Sequence, residues 1–377
     1  MTDIAYTLPR QYFTSVEIFQ EEMAYIFYEN WLCVGRAEQI ARPGEYFLHE
    51  IGDESIIVLR DTAGTARAFY NVCRHRGTQL CEAPRGRFAK SIQCPYHAWT
   101  YALDGRLIGV PSLENMAYLD KDNYPLHTVD LESWEGFLFI NLSRQPEPFD
   151  RAFAAILERF RPWHMDTLQV VERIEYEVQA NWKLIAENYN ECYHCPVIHP
   201  RLNQLSHYRS GDNVLTEGRI LGGYMGLTNG ESSMSHSGRL CAPPLGDVAG
   251  ADLERVYYFS LFPNMLLSLH PDYVMVHTLR PERVDRTTVV CQWLFDPAAV
   301  ADPKIDPGDA VEFWDTTNRE DWHACELSQR GLRSRAYKPG PYYQWQEQLL
   351  AEFDRQVLLA LGHLQEQGCG GAGEQGR

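Results

Sequence analysis

Two short strings combine cysteine with histidine: Cys73-Arg74-His75 and, about twenty residues on, Cys94-Pro95-Tyr96-His97. Each arm offers one thiolate and one imidazole. That donor set suits a two-iron, two-sulfide cluster in which the thiolates hold one iron and the imidazoles the other. Neutral imidazoles in place of charged thiolates raise the potential of such a cluster. It then accepts an electron and hands it to a stronger oxidant. Tetrahedral zinc is the alternative for two Cys and two His. Zinc fingers, however, pair Cys with Cys and His with His, whereas here each arm carries one of each. The arms also read as matched loop tips. Gly77 permits a tight turn or a close backbone approach after the first, and Pro95 lies inside the second.

A second ligand set begins at Glu187-Asn-Tyr-Asn-Glu191-Cys-Tyr-His194-Cys-Pro196-Val-Ile-His199. The spacing predicts a helix over 182–194, with residues 187, 191 and 194 on one face. Pro196 is expected to end it, so that His199 arrives from the turn beyond and both histidines reach one metal. Two histidines and a carboxylate on one face hold Fe(II) in non-haem oxygenases and leave positions open for O2 and substrate. The carboxylate must come from elsewhere, and Glu320-Asp321-Trp322-His323-Ala-Cys-Glu326 offers it; spacing alone does not separate Asp315, Glu320, Asp321 and Glu326. A helix end with satisfied core histidines is the plainer reading of this motif alone. The Cys/His strings in the same chain count against it.

The elements around these motifs define an α+β chain. Apolar residues at helical spacing predict a helix over 15–30. Short β-branched and aromatic runs at 55–60, 66–72, 91–94 and 99–103 read as strands, with the insert around Gly86 as a hairpin excursion. Residues 136–142 form an unbroken apolar strand, and 149–160 looks helical. Further strands fall at 170–178, 255–262, 265–269, 273–280 and 287–295, with loops over 222–250 and helices over 308–329 and 342–362. Strands with segregated helices, without βαβ alternation, indicate α+β: an N-terminal all-β domain, then a catalytic domain with an antiparallel sheet covered by helices. The expected division is 1–40, a helical segment packing on the catalytic domain; 41–150, the cluster domain; 151–367, the iron domain; and 368–377, a Gly-rich disordered tail.

With 377 residues, 45% of them hydrophobic, the chain can bury two cores. A net charge of −17 argues against nucleic acid or an anionic membrane as partner. No run of 18 apolar residues suggests a membrane span, and the N-terminus lacks a signal-peptide pattern. Ten irregularly spaced cysteines then read as reduced thiols in a cytoplasmic protein. Cys33, Cys81, Cys241, Cys291 and Cys325 read as small buried hydrophobes.

Over nearly its whole length the chain resembles the terminal oxygenase component of the Rieske non-haem iron oxygenases. Cys73, His75, Cys94 and His97 match that family's cluster ligands, His194 and His199 its iron histidines, and Asp321 its carboxylate ligand. Glu191, three residues before the first iron histidine, stands where the family has an acid bridging the iron site to a cluster histidine of the neighbouring subunit. Many members carry Asp there. The strings E-N-Y-x-E-C-Y-H-C-P-x2-H-P and E-D-x4-E-x-x-Q-R-G-L are similar to the branch of choline and carnitine monooxygenases and of glycine-betaine and stachydrine demethylases. The resemblance implies a [2Fe–2S] cluster, mononuclear Fe(II), and a head-to-tail homotrimer. It also implies a separate flavin and iron–sulfur reductase, through which NAD(P)H acts only indirectly.

The expected function is O2-dependent hydroxylation or N-demethylation of a small quaternary ammonium or betaine-type compound. Tyr257, Phe259, Phe262, Tyr273 and Trp314 are the candidate π faces for a cation, though ordinary core packing is the better account of any single one of them. An oxygenase for an aromatic acid is the alternative, with Arg280 or Arg219 as the pocket cation. A pure electron carrier would need only the first hundred-odd residues.

Overall fold

A computed structural model describes residues 6–115 and 118–364; the expected tail at 368–377 lies outside them. Three antiparallel sheets form the frame. The first holds seven strands in the order Leu32–Arg36, Phe137–Asn141, Thr128–Trp134, Ala66–Tyr70, Glu54–Arg60, Glu45–Ile51, Arg85–Arg87. A small sheet of Ser91–Gln93, Thr100–Ala102 and Leu107–Gly109 carries the second Cys/His arm at its end. The third has seven strands in the order Gln169–Val178, Arg286–Phe295, Val274–Arg283, Met265–Leu269, Arg255–Leu261, Ile220–Gly226, Asp212–Leu215.

Helices segregate to the third sheet. The long helix Gly308–Leu332 lies against it: Tyr176 Oη donates to Asp315 at 2.7 Å, and Gln329 Oε1 accepts from Asn181 N at 2.8 Å. At the N-terminus a helix over Val16–Glu22 continues as a wider turn over Met23–Phe27. It packs onto the catalytic half through Glu22, which is fully buried and takes a hydrogen bond from Trp182 Nε1 and an ion pair from Lys183. Strand Leu32–Arg36 then joins the first sheet beside Phe137–Asn141, so a boundary at residue 40 crosses that sheet.

Several local expectations meet a different backbone. Only Phe149–Ala152 is helical within 149–160, yet Phe153, Ile156 and Phe160 are all buried. Apolar spacing selects which side chains turn inward without dictating regular backbone bonds. The insert before the second arm forms no hairpin of its own; Arg85–Arg87 adds to the edge of Glu45–Ile51. Strand Ile220–Gly226 occupies residues read as loop, because its glycines let neighbouring strands approach: a Cβ on Gly223 would lie 2.0 Å from Asp212 O.

The two halves are clamped by Asn264. Its Oδ1 accepts from Cys33 N at 2.9 Å and its Nδ2 donates to Cys33 O at 2.9 Å, at a site 3% exposed. Asn264 thus stands in for a strand partner at the irregularity between Cys33 and Gly35. Asn264→Leu leaves both backbone groups buried and unpaired, at a cost of roughly 2–4 kcal/mol. Chemical denaturation of the metal-loaded protein should register that loss, whereas an unchanged midpoint would show the clamp to be dispensable.

Candidate active site

The first arm and the second are built alike. Gly77 N donates to Cys73 O and Cys73 N to Thr78 O; Ala98 N donates to Cys94 O and Cys94 N to Trp99 O. The residue closing each turn has positive φ, Gly77 at 74° and Ala98 at 55°. Two loop tips with the same hydrogen-bond pattern therefore present one thiol and one imidazole each. Cys73 and Cys94 are buried and free, and Tyr101 Oη lies 3.3 Å from Cys73 Sγ. The His75 and His97 rings are 4.7 Å apart, and His75 stacks on Trp99 at 4.8 Å. The Nδ1 atoms of both histidines are buried without a hydrogen-bond partner. Two thiols outside any disulfide, beside two orphaned imidazole nitrogens, fit an electrophilic group, and a cluster with two thiolate and two imidazole ligands uses all four.

The second set is assembled by a chain break. Helix Trp182–Tyr189 starts at Asn181, whose side chain accepts from Lys183 N, and ends at Tyr189, five residues before the expected His194. Asn190 stops it by donating its side-chain amide to Ala186 O at 2.7 Å, a local bond that competes with further helix. The Glu191 carboxylate then accepts from the backbone N–H groups of Tyr193 and His194 and so prepares a new start. Pro196 lies in the first turn of the short helix Cys195–Ile198, where its missing N–H costs nothing. It opens a helix; the expected role as terminator is overturned. Glu187, Glu191 and His194 therefore do not share one helix face.

This break turns both histidines toward the helix Gly308–Leu332. His199 Nε2 lies 2.8 Å and His194 Nε2 3.3 Å from Asp321 Oδ1. Each imidazole is held from its other side: His194 Nδ1 by Glu191 Oε1 at 2.5 Å, His199 Nδ1 by Glu320 Oε2 at 2.7 Å. The candidate ligand atoms of His194, His199 and Asp321 all lie within 4.8 Å of one another. Burial alone favours neutral His194, but hydrogen bonds to Asp321 and Glu191 outweigh it and raise its pKa to about 10. Burial likewise favours protonated Asp321, and the two histidines reverse it, to about 2. Two imidazoles and a buried carboxylate competing for shared protons fit a cation that would replace those protons. Glu191 and Glu320 stand where carboxylates would orient metal-ligating histidines. Spacing does not rank Glu320 against Asp321; the structure gives each a different ring nitrogen of His199, Nδ1 for Glu320 and Nε2 for Asp321.

The Cys192–Cys195 disulfide spans this turn. Reduced thiols were the expectation throughout; the turn differs because it brings the two Cα atoms to 5.0 Å, within disulfide reach.

A cavity of about 180 Å³ opens onto His194, His199 and Asp321. Five rings in edge contact run along its wall: Trp322 to His277 at 5.9 Å, His277 to Tyr189 at 6.3 Å, Tyr189 to Tyr258 at 6.1 Å, Tyr258 to Trp314 at 6.4 Å. Burial drives His277 down to about 4, so this ring is uncharged at neutral pH. Of the aromatic candidates, only Trp314 lines this cavity. Tyr257 and Phe259 lie one residue either side of Tyr258 and so pack into the opposite core. Phe262 lines a different, small cavity, and the Tyr273 hydroxyl instead accepts from Trp314 Nε1 at 2.7 Å, fixing that ring. Arg280 and Arg219 do not line it either; they pair with Glu175 and Glu282, and with Glu147. Among the described residues the arginine that does is Arg209, which sequence reading misses because nothing in its polar loop marks it.

Residues 30–129 match the Rieske [2Fe-2S] domain, and residues 165–362 match the ring hydroxylating alpha subunit (catalytic domain). The chain belongs to this family of Rieske oxygenases, and carries a Rieske cluster domain followed by a mononuclear iron domain. It is 34% identical to the glycine betaine monooxygenase oxygenase subunit of Chromohalobacter salexigens, across 89% of this chain and 82% of the relative. Against the carnitine monooxygenase oxygenase subunit of Escherichia coli K12 the figures are 30%, 89% and 86%. The solved structure of a quaternary ammonium Rieske monooxygenase covers 96% of each chain with a TM-score of 0.82 and 28% identity. Among the described residues no helix is long and apolar enough to cross a membrane.

The two sites give separable outcomes. His194→Ala or Asp321→Ala should abolish mononuclear iron while leaving the cluster's low-g EPR signal. His75→Ala should remove that signal. Glu320→Gln should keep iron but bind it about 10- to 100-fold more weakly. Metal analysis showing iron kept in Asp321→Ala and lost in Glu320→Ala would move the ligand by one residue.

Proposed function

We propose that Cys73, His75, Cys94 and His97 hold the [2Fe–2S] cluster, that His194, His199 and Asp321 hold Fe(II), and that the chain oxidises a small quaternary ammonium compound of the betaine type. The observation carrying the substrate reading is the wall of neutral rings beside the iron ligands. Such faces attract an N-methylated cation and offer it no hydrogen bond to miss. The named substrates of the relatives, glycine betaine and carnitine, are of this class.

When bound, the iron and cluster together supply O2 activation and single-electron delivery. The net reaction at an N-methyl group inserts one oxygen atom into a C–H bond and releases the other as water, consuming two electrons and two protons. The resulting hemiaminal then falls apart to formaldehyde and the demethylated amine. The chain's own contribution is positional. Glu191 and Glu320 aim the imidazoles, Tyr189, Tyr258 and Trp314 place the cationic head beside Asp321 and His194, and the buried wall excludes water. The electrons come from a separate flavin and iron–sulfur reductase, with NAD(P)H as its donor.

Glu191 is further assigned the electron bridge in a head-to-tail homotrimer. Two features support it. The Glu191 carboxylate grips His194 Nδ1 while remaining 11% exposed, and the histidine rings of the cluster arms are only partly covered, beside exposed Tyr96. A cytoplasmic location completes the reading, supported by seven free cysteines among the described residues.

Calorimetry of the anaerobic, metal-loaded protein tests the substrate class. Tetramethylammonium should bind and benzoate should not, and Tyr258→Leu should weaken the former by about 1 kcal/mol. Benzoate binding without tetramethylammonium binding would assign an aromatic acid instead. For the bridge, Glu191→Gln should slow turnover severely with both metals retained. Mixing His75→Ala with His194→Ala subunits should restore activity; verified subunit exchange without rescue would mean that electrons stay within one chain.

A further inference from the structure

The cavity wall is aromatic, but its mouth carries a charge. Among the described residues Arg209 is the single Lys or Arg side chain that lines it. Arg209 is exposed, in the segment between helix Pro200–Leu205 and strand Asp212–Leu215. Its guanidinium carbon lies 5.0 Å from the Tyr208 ring centroid and 6.0 Å from that of Trp345. Both rings line the same cavity, and Trp345 comes from the segment preceding the last helix. Two loops distant in sequence therefore hold one guanidinium at the entrance. Ring contact occupies the face of a guanidinium and leaves its N–H edge available.

Among the described residues that edge has no hydrogen-bond or ion-pair partner. The neighbouring functional half is rich in paired arginines: Arg319 with Asp315, Arg280 with Glu175 and Glu282, Arg219 with Glu147. Arg209 enters none of the ion pairs found among the described residues, although exposed Asp212 lines the same cavity. Its backbone N–H bonds to His207 Nδ1 at 3.2 Å, which fixes the turn and not the side chain. A pre-positioned guanidinium with a free fork is a receptor for a planar carboxylate, which it binds through two parallel N–H···O bonds.

We propose that Arg209 is the carboxylate subsite of the substrate pocket. The pocket then reads a zwitterion from both ends: the N-methyl ammonium against Tyr189, Tyr258 and Trp314, the carboxylate on Arg209. Betaine-type acids are thereby separated from alcohols that share the head group, such as choline. The inference rests on the quaternary ammonium reading and adds to it which members of that class are accepted. The contacts of Arg209 among the described residues, to His207, Tyr208 and Trp345, include none of the proposed iron ligands, so its role is to bind substrate and not to take part in the chemistry.

The test uses anaerobic calorimetry on the protein loaded with cluster and iron, with tetramethylammonium, choline and glycine betaine as probes. Wild type should bind glycine betaine at least tenfold more tightly than choline. Arg209→Ala should weaken glycine betaine about tenfold or more, the scale of a lost charge-assisted hydrogen bond, and leave tetramethylammonium and choline within about twofold. Arg209→Gln should match Arg209→Ala, and Arg209→Lys should recover part of the loss, since it restores charge without the fork. In steady state the loss should fall on KM for glycine betaine. An unchanged glycine betaine affinity in Arg209→Ala would overturn the proposal, as would equal weakening of all three probes, the mark of a merely structural residue. Failure of wild type to bind any of the three would instead bring down the quaternary ammonium reading itself.

Discussion

One carboxylate oxygen, Asp321 Oδ1, faces the Nε2 atoms of both His199 and His194 at 2.8 and 3.3 Å, and most of the catalytic half serves that convergence. A continuous helix through 182–199 would send histidines five positions apart to different faces, because each residue advances about 100°. The chain solves this by stopping at Asn190, turning on the Glu191 carboxylate and restarting at Cys195 with Pro196 in the first turn. The long helix Gly308–Leu332 then delivers two adjacent acids with separate duties. Asp321 meets the Nε2 side of His199 and Glu320 its Nδ1 side. Adjacent acids can grip one ring this way because the ring lies between their two directions.

The rest of the structure places substrate and electrons around this point. The antiparallel sheet supplies Tyr258 and His277 from separate strands, and the long helix adds Trp314 and Trp322, so the ring wall is shared between sheet and helix. Asn264 and the buried Glu22–Lys183 pair fix the N-terminal segment to this half. A buried ion pair of that kind is weak as a source of stability but costly to break on one side, which suits a contact that must keep its register. The cluster arms stand at the end of their own sheets, with thiols inside and imidazoles outward.

The ligand sets were legible because metal chemistry restricts residue type and spacing tightly: few alternatives to iron survive two mixed Cys/His arms plus a His/His/Asp set. Strand identity was also readable, as at Met265–Leu269, a short and nearly continuous apolar run flanked by Pro263-Asn264 and Pro271-Asp272. What the sequence hid were outcomes decided by competing local bonds or by parity. Asn190 could have continued the helix, and its amide chose Ala186 O. The reading of the strand at 255–262 located the element and picked the wrong face, because Tyr257, Tyr258 and Phe259 are all aromatic and alternation gives no contrast. Arg209 was invisible for a different reason: its partners Tyr208 and Trp345 lie far apart in sequence, and only tertiary structure joins them at the cavity.

The proposed chemistry spends the cluster's stored electrons on an N-methyl group held on neutral rings beside His194, His199 and Asp321. A single-turnover experiment addresses it most directly. The holoprotein is reduced, freed of reductant, given glycine betaine and exposed to O2 with no reductase present. The account predicts dimethylglycine and formaldehyde in equal amounts, in proportion to mononuclear iron content. Retained glycine betaine with full iron and cluster occupancy would contradict it.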